Sequence, residues 1–319
     1  MPSKKTRKLI YELSQNSRIR TKDLGKKIGA SQQSASYLIA SLKQKKIILE
    51  HNVRIDPSKL GLINILIYYN FTDFSAKNIH EIISFLKNED SVVNIEQLSQ
   101  GYDLSCVFCV PNLSNFNKMN KDFLHKFKNK IYAAEIFPII VKHLYSKNYL
   151  WPHRQAEELI VGGDRDIINM SENEKKIIRM LQENPTIKIL DMAKKLKLNP
   201  KTITKLKANL EKNKIIRGYS TLWDYKLLKI IRKQILVNSE ELDLNEDKKL
   251  LEFAKNHPNV TALSRLIGKY DLLFEVEGES ISNRDVLKEL RSEFGIKDFE
   301  VVGGGTILKA KYVPLSALD

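Results

Sequence analysis

Residues 31–46 read SQQSASYLIASLKQKK, and residues 199–214 read NPKTITKLKANLEKNK. Each opens on a side chain, Ser31 or Asn199, that can accept an orphan backbone N–H of a first helical turn. Pro200 then stands at the first helical position, where a missing N–H does no harm. Ala35, Leu38, Ile39 and Leu42 follow at helical spacing, as do Ile203, Leu206 and Leu210. The short connection Gly29-Ala30-Ser31 leads into the first of these helices from another apolar stripe, which predicts a helix-turn-helix.

Working outward, residues 8–60 lie over residues 176–228 at a constant offset of 168, and 16 of the 53 positions are identical. The same offset aligns Tyr102-Asp103-Leu104 with Tyr270-Asp271-Leu272. A repeat of this size duplicates whole domains, being far longer than a solenoid unit of roughly 20–50 residues. Leu9, Ile10, Leu13 and then Leu24, Ile28, entered through Thr21 as cap, predict two helices before the third. Ile177, Ile178, Leu181 and then Met192, Leu196 repeat the pattern. After each third helix a β-branched run, Ile47-Ile48 or Ile215-Ile216, begins an alternating stretch that ends at Asp56 or Asp224. It reads as a small two-stranded wing in each copy, giving winged helix-turn-helix units over 1–60 and 172–228.

The outward positions of the first recognition helix are Gln32, Gln33, Ser36 and Tyr37, followed by Lys43, Lys45 and Lys46. Gln pairs bidentately with adenine, and Ser and Tyr hydroxyls can read base edges. The lysines suit phosphate, which positions without specifying. The second helix presents Lys201, Thr202, Thr204 and Lys205, a more cationic and less selective set. Charge supports this assignment. The net is +15, yet residues 1–60 hold 14 Lys/Arg against 4 Asp/Glu, residues 172–228 hold 14 against 6, and the remainder sums to −3. So segregated a field implies a polyanionic partner, double-stranded nucleic acid above all.

Between the basic units, strand-like runs at 62–71 and 229–238 open two stretches ordered β-α-β-β-α-β, with further helices near 113–128 and 281–294 and final strands near 135–145 and 299–312. The fold class is therefore α+β: two winged helix-turn-helix domains and two ferredoxin-like domains in tandem, the latter over 61–150 and 229–319, with a linker at 151–171. Helices cover one face of such a sheet; the other copy's sheet, from the same chain or from a homodimer partner, is the natural cover for the second face. Gly303-Gly304-Gly305 predicts a bend or bulge before the last strand. Cys106 and Cys109 lie three apart in a strand-like run, on opposite faces, and read as apolar filling rather than a metal or redox pair. The six histidines, His51, His80, His125, His143, His153 and His257, form no ligand-spaced pair, so no cofactor or metal is expected. The start MPSKKTRKLI lacks a signal peptide's apolar core, and no apolar run approaches the roughly 18 residues of a membrane span, so a cytoplasmic protein with no membrane partner is expected.

A winged helix-turn-helix followed by β-α-β-β-α-β, with the turn Gly268-Lys269-Tyr270-Asp271-Leu272, resembles the Lrp/AsnC (feast/famine) transcription regulators, twice over. The Lys-rich tandem form has an archaeal look. The resemblance implies a DNA-binding regulator whose second domain, called RAM, assembles the protein and binds a small effector such as an amino acid. It places the effector at Gly268, Tyr270 and Asp271, and at Gly101, Tyr102 and Asp103, although Gln100 occupies the aligned glycine position of the first copy. The alternative for both aspartates is a hydrogen bond within their own turns. Two further departures from the family are Leu38 and Leu206 where an Arg is common, and Lys46 and Lys214 where a Gly usually precedes the wing. The same fold serves siroheme decarboxylases, an enzymatic alternative; a ligand sensor or scaffold with vestigial heads is another. The absence of a His/Arg cluster and the charge on the heads predict a protein that is not an enzyme.

Overall fold

The stripes form the expected helices. The computed structural model describes residues 3–152, 158–239, 242–279 and 286–319. The first head contains α1 (Lys4–Gln15), α2 (Thr21–Ile28) and α3 (Gln32–Gln44), then the strand β1 (Ile48–Ile55). Ser31 caps α3 by accepting the Ser34 N–H at 3.1 Å. Arg20, not Thr21, holds the cap position of α2, without a side-chain bond. Gly29 ends α2 in the left-handed conformation at φ +69°.

The first sheet unit follows as β2 (Ile63–Phe71), α4 (Ala76–Asn88), β3 (Val92–Gln97), β4 (Leu104–Val110), α5 (Leu113–Lys126) and β5 (Ile131–Tyr145). A short strand, β6 (Glu158–Gly162), lies in the stretch expected to be linker. Its run Leu159-Ile160-Val161 adds a further edge to β5. The second head is α6 (Glu172–Glu183), α7 (Ile189–Leu196), α8 (Pro200–Lys212) and β7 (Ile216–Trp223). The second sheet unit is β8 (Ile231–Val237), α9 (Leu244–Asn256), β9 (Val260–Leu266), β10 (Leu272–Gly278), α10 (Val286–Phe294), β11 (Phe299–Gly303) and β12 (Thr306–Ala310). The start of the helix expected at 281–294 falls outside the described residues, as does His153.

The expected wing within each head is corrected. Each head supplies one strand, and β1 pairs antiparallel with β7, from Ile48 opposite Trp223 to Ile55 opposite Ile216. Only one strand-length run follows each recognition helix, so its backbone groups find partners in the other copy. The cores interlock accordingly. Trp223 packs with Leu9, Ile10, Leu24 and Ile48 in the first head, while Val53 and Ile55 pack with Ile177, Leu181 and Ile203 in the second. The Trp223 indole N–H donates to Ser14 Oγ at 2.9 Å.

The two sheet units pair within the chain. The strand path is β11-β8-β10-β9-β5-β2-β4-β3-β12. β5 pairs with β2 of its own unit through Ile131–Ile139 and with β9 of the other unit from Ile139 to Leu144. The last segment does the same in reverse: β11 pairs with β8 of its own unit and β12 with β3 of the first. The expected bend divides them, and Gly305 is required there because a Cβ would lie 1.9 Å from the Gln97 carbonyl oxygen. Both ends of the path are thus one bent segment, and the sheet closes on itself.

Helices cover the outer faces, packing Phe123 over Ile65, Ile67 and Phe108 in one unit and Leu290 over Ile235, Leu263 and Phe274 in the other. Cys106 and Cys109 are buried in separate cores on opposite faces of β4, and burial pushes both thiols above their ordinary range. Inside, the facing sheets pack Leu66, Tyr68, Tyr102, Phe137, Leu236 and Tyr270 at one end.

Candidate nucleic-acid interface

The recognition helices carry their expected residues outward. Gln32, Gln33, Ser36, Tyr37, Lys43, Lys45 and Lys46 are exposed on the first, and Lys201, Thr202, Thr204 and Lys205 on the second. Tyr37 has 73% of its surface free, unusual for so large an apolar ring. Ala35 and Leu42, and Ile203 and Leu210, anchor the opposite faces. Leu38 and Leu206, where the family commonly has Arg, are half-buried against the head cores and point away from the outward row. Two polar groups of the second helix are already engaged. The Thr204 hydroxyl donates to the Pro200 carbonyl at 2.9 Å, and Lys207 pairs with Glu211 at 2.5 Å across the Tyr219 ring. Lys46 and Lys214, standing where glycine is usual, adopt φ of +55° and +60°. The left-handed turn is kept although the residue is not, at about 1–2 kcal/mol each. His51 on β1 has its pKa lowered by burial and then by Lys43, so it adds no charge near neutral pH.

The two Gly-Tyr-Asp turns are built as tight turns, with φ +145° at Gly268 and +89° at Gly101. Their tyrosines face inward. Tyr102 stacks on Tyr68 at 4.6 Å and donates to Glu300 at 2.7 Å, and Tyr270 lies in the inter-sheet core. Their aspartates hold backbone. Asp271 accepts the Ser239 N–H at 2.7 Å and the Ser239 hydroxyl, while Asp103 accepts the Phe71 N–H at 2.8 Å.

Sequence reasoning missed a cluster at the other end of the closed sheet. Arg232 of β8 forks onto Glu96 of β3 at 2.7 and 3.3 Å. Lys142 of β5 pairs with Glu275 of β10, and Lys147 pairs with Glu277, which also accepts the Tyr149 hydroxyl at 2.8 Å. Burial alone would push the Glu275 carboxyl up; the charge and hydrogen bond of Lys142, with Arg232 and Lys147, outweigh it and hold the group below the ordinary range. A readable signal existed: Glu275 and Glu277 sit two apart on one face of an apolar strand run.

Two helix-turn-helix heads riding on paired ferredoxin-like sheets form the architecture that the sequence resemblance to the Lrp/AsnC regulators implies. A family model described as winged helix-turn-helix DNA-binding matches residues 170–217. Among curated relatives, the chain is similar to the transcriptional regulator AzlB of Bacillus subtilis, 28% identical over 117 residues, 36% of this chain and 74% of that protein. It is also similar to the HTH-type transcriptional regulator Ptr1 of Methanocaldococcus jannaschii, 24% identical over 135 residues, 42% of this chain and 80% of the other.

The expectation that the chain is not an enzyme is overturned. The siroheme decarboxylase NirDL matches 97% of this chain and 94% of its own at a TM-score of 0.61, with 14% identity. The tandem fold is therefore one that an enzyme uses. Among the described residues no cluster of three His, Cys, Asp or Glu could hold a metal ion, and no helix is long and apolar enough to cross a membrane.

Proposed function

We propose that this protein is a cytoplasmic, sequence-specific regulator of transcription that grips duplex DNA with both heads. The exposed, cationic recognition helices, segregated from a near-neutral body, support this reading most directly. Gln32, Gln33, Ser36 and Tyr37 read base edges, with Thr202 and Thr204 in the second head. Lys43, Lys45, Lys46, Lys201 and Lys205 hold phosphates. The unlike helices suit an asymmetric operator, because operator symmetry mirrors protein symmetry. Selection of bound fragments from genomic DNA tests the proposal; recovery without a shared motif would refute it. Gln33→Ala or Tyr37→Ala should relax preference at individual base pairs by about 1–3 kcal/mol, whereas Lys43→Ala should weaken all sequences alike. Competition binding against operator variants separates the two patterns.

The proposal includes a small effector, such as an amino acid, at Gly268, Tyr270 and Asp271, with Gly101, Tyr102 and Asp103 as the weaker copy. Since Asp271 already serves Ser239, Asp271→Asn is the informative change: it keeps an acceptor and removes the charge. It should abolish any amino-acid effect on DNA affinity while leaving the unfolding temperature near its starting value. A surviving response would place the pocket elsewhere. A second reading, an enzyme acting on a tetrapyrrole, draws on the NirDL likeness, since one NirDL structure is a co-complex with an iron-uroporphyrin III analogue, and on the polar space between the sheets. An iron-tetrapyrrole absorption band on the purified protein would favour it.

A further inference from the structure

Because the heads are copies, one shows what the other can hold. In the second head, the segment after β6 lies along the groove between α8 and the turn that follows β1. The Ile168 N–H donates to the Lys59 carbonyl at 2.9 Å, and Lys59 Nζ donates to the Asp166 carbonyl at 3.3 Å. Ile168 and Met170 pack against the core of the second head alongside Leu60 and Leu206. Ile167 lies over Gly61, 3.1 Å from where a Cβ would stand. An extended piece of the chain itself thus fills this groove.

The first head has the same groove, built from α3 and the turn that follows β7. Leu38, Ser41, Leu42, Lys45, Ile47 and Leu227 line a cavity of about 330 Å³ there. The duplication sets Leu38, Leu42 and Ile47 over Leu206, Leu210 and Ile215, and Leu227 over Lys59. The turn itself is repeated, since Gly61 and Lys229 correspond and adopt φ of +71° and +56°. Among the described residues nothing fills the cavity. Leu227 keeps 53% of its surface, and its carbonyl, the counterpart of the Lys59 carbonyl, receives no backbone N–H. The rim differs in charge. Lys229 stands where Gly61 meets Ile167 in the second head, and Lys45 stands in place of Asn213. The first head therefore offers an apolar floor with two cations at its edge.

We propose that the groove of the first head binds an extended segment of a partner protein. Its apolar side chains take the places that Ile168 and Met170 hold in the second head, and a carboxylate takes the place of Ile167. The apolar pair covers Leu38, Leu42 and Leu227, the backbone N–H of the first of them reaches the Leu227 carbonyl, and the carboxylate meets Lys229 and Lys45. Main-chain bonds of this kind give affinity, and the flanking side chains give specificity. The chain's own Ile168 is already engaged at Lys59, so the occupant comes from another protein. Binding is read without DNA, so the inference stands or falls apart from the regulatory reading.

Titration of the full chain with a fluorescent peptide of residues 163–171 carrying Ile167→Glu tests this. The peptide should bind at submillimolar concentration, at one equivalent per chain, because the groove of the second head is occupied. Ile168→Ser in the peptide should weaken it by about tenfold or more, as loss of a buried apolar side chain does. A peptide with Ile167→Lys should bind about fivefold more weakly than the one with Ile167→Glu at low salt, the scale of a surface ion pair. In the protein, Leu227→Asp, at an exposed position outside the recognition face, should abolish binding. Should that variant fail to fold, Ser41→Phe, which fills the cavity from α3, should do the same. The proposal is overturned if no peptide binds at millimolar concentration, if two equivalents bind, if the Ile167→Lys peptide binds as well as the Ile167→Glu peptide, or if binding survives Leu227→Asp or Ser41→Phe. A dimer in solution that Leu227→Asp dissociates would overturn it as well, by making a second copy the occupant.

Discussion

Affinity for duplex DNA should fall about a thousandfold when salt rises from roughly 50 to 200 mM, if the two heads together neutralise about six or more phosphates. The lysines assigned to phosphate number five on the recognition helices, and Lys4 and Lys5 lie exposed at the start of the first head. Each displaced counterion steepens the logarithmic slope, so the slope itself counts contacts. Electrophoretic or fluorescence titration at several salt concentrations reads it directly. Removing one contact, as in Lys43→Ala, should lower the slope by about one. A flat response would mean that the cationic faces do not meet phosphate, and the regulator proposal would go with it.

The second large effect concerns folding. Arg232→Ala should destabilise the protein by about 3–5 kcal/mol, the usual loss when one partner of a buried ion pair is removed. Glu96 keeps only 4% of its side-chain surface and would be left with the Gly305 N–H at 2.8 Å as its polar partner. Arg232 also covers the Tyr225 ring at 4.6 Å, so packing is lost along with charge. Urea unfolding of the full chain measures the deficit. Replacing Arg232 and Glu96 together by Met and Leu should recover much of it, because no uncompensated charge then remains. Acid acts on the neighbouring pair. Glu275 has a folded-state pKa below its unfolded value, so its contribution is fully present above the ordinary carboxylate range and fades as pH falls through the lowered value. Stability of the unaltered protein should therefore drop on acidification below that range. An unfolding midpoint indifferent to Arg232→Ala would show that the fork onto Glu96 does not hold the two units together.

The heads were legible because their signals are local. Ser31 and Asn199 as caps, Gly29 at the turn and the Leu38–Leu42 and Leu206–Leu210 stripes all act within a few residues of themselves. The packing of one sheet unit on the other was legible too, since a ferredoxin-like sheet has a second apolar face that the chain's own duplicate can cover. What could not be read were pairings decided at long range. Nothing near Ile48 says that its strand partner is 175 residues away at Trp223. The same holds for Arg232, an isolated cation in a strand run until Glu96 is brought opposite it from the other copy. Chemistry assembled across the duplication is invisible to a reading that takes each copy alone.

The exchange of strand halves between copies bears on how the molecule is made. Before the second copy has left the ribosome, β1 and the free side of β3 have no neighbours, and the outer half of β5 has only the short β6, because β7, β9 and β12 are still unmade. Such open edges invite pairing with other chains. The nascent first half is thus half of a knit object rather than a finished module, and crowding several chains on one message favours dimers in which the first half of one molecule closes on the second half of another.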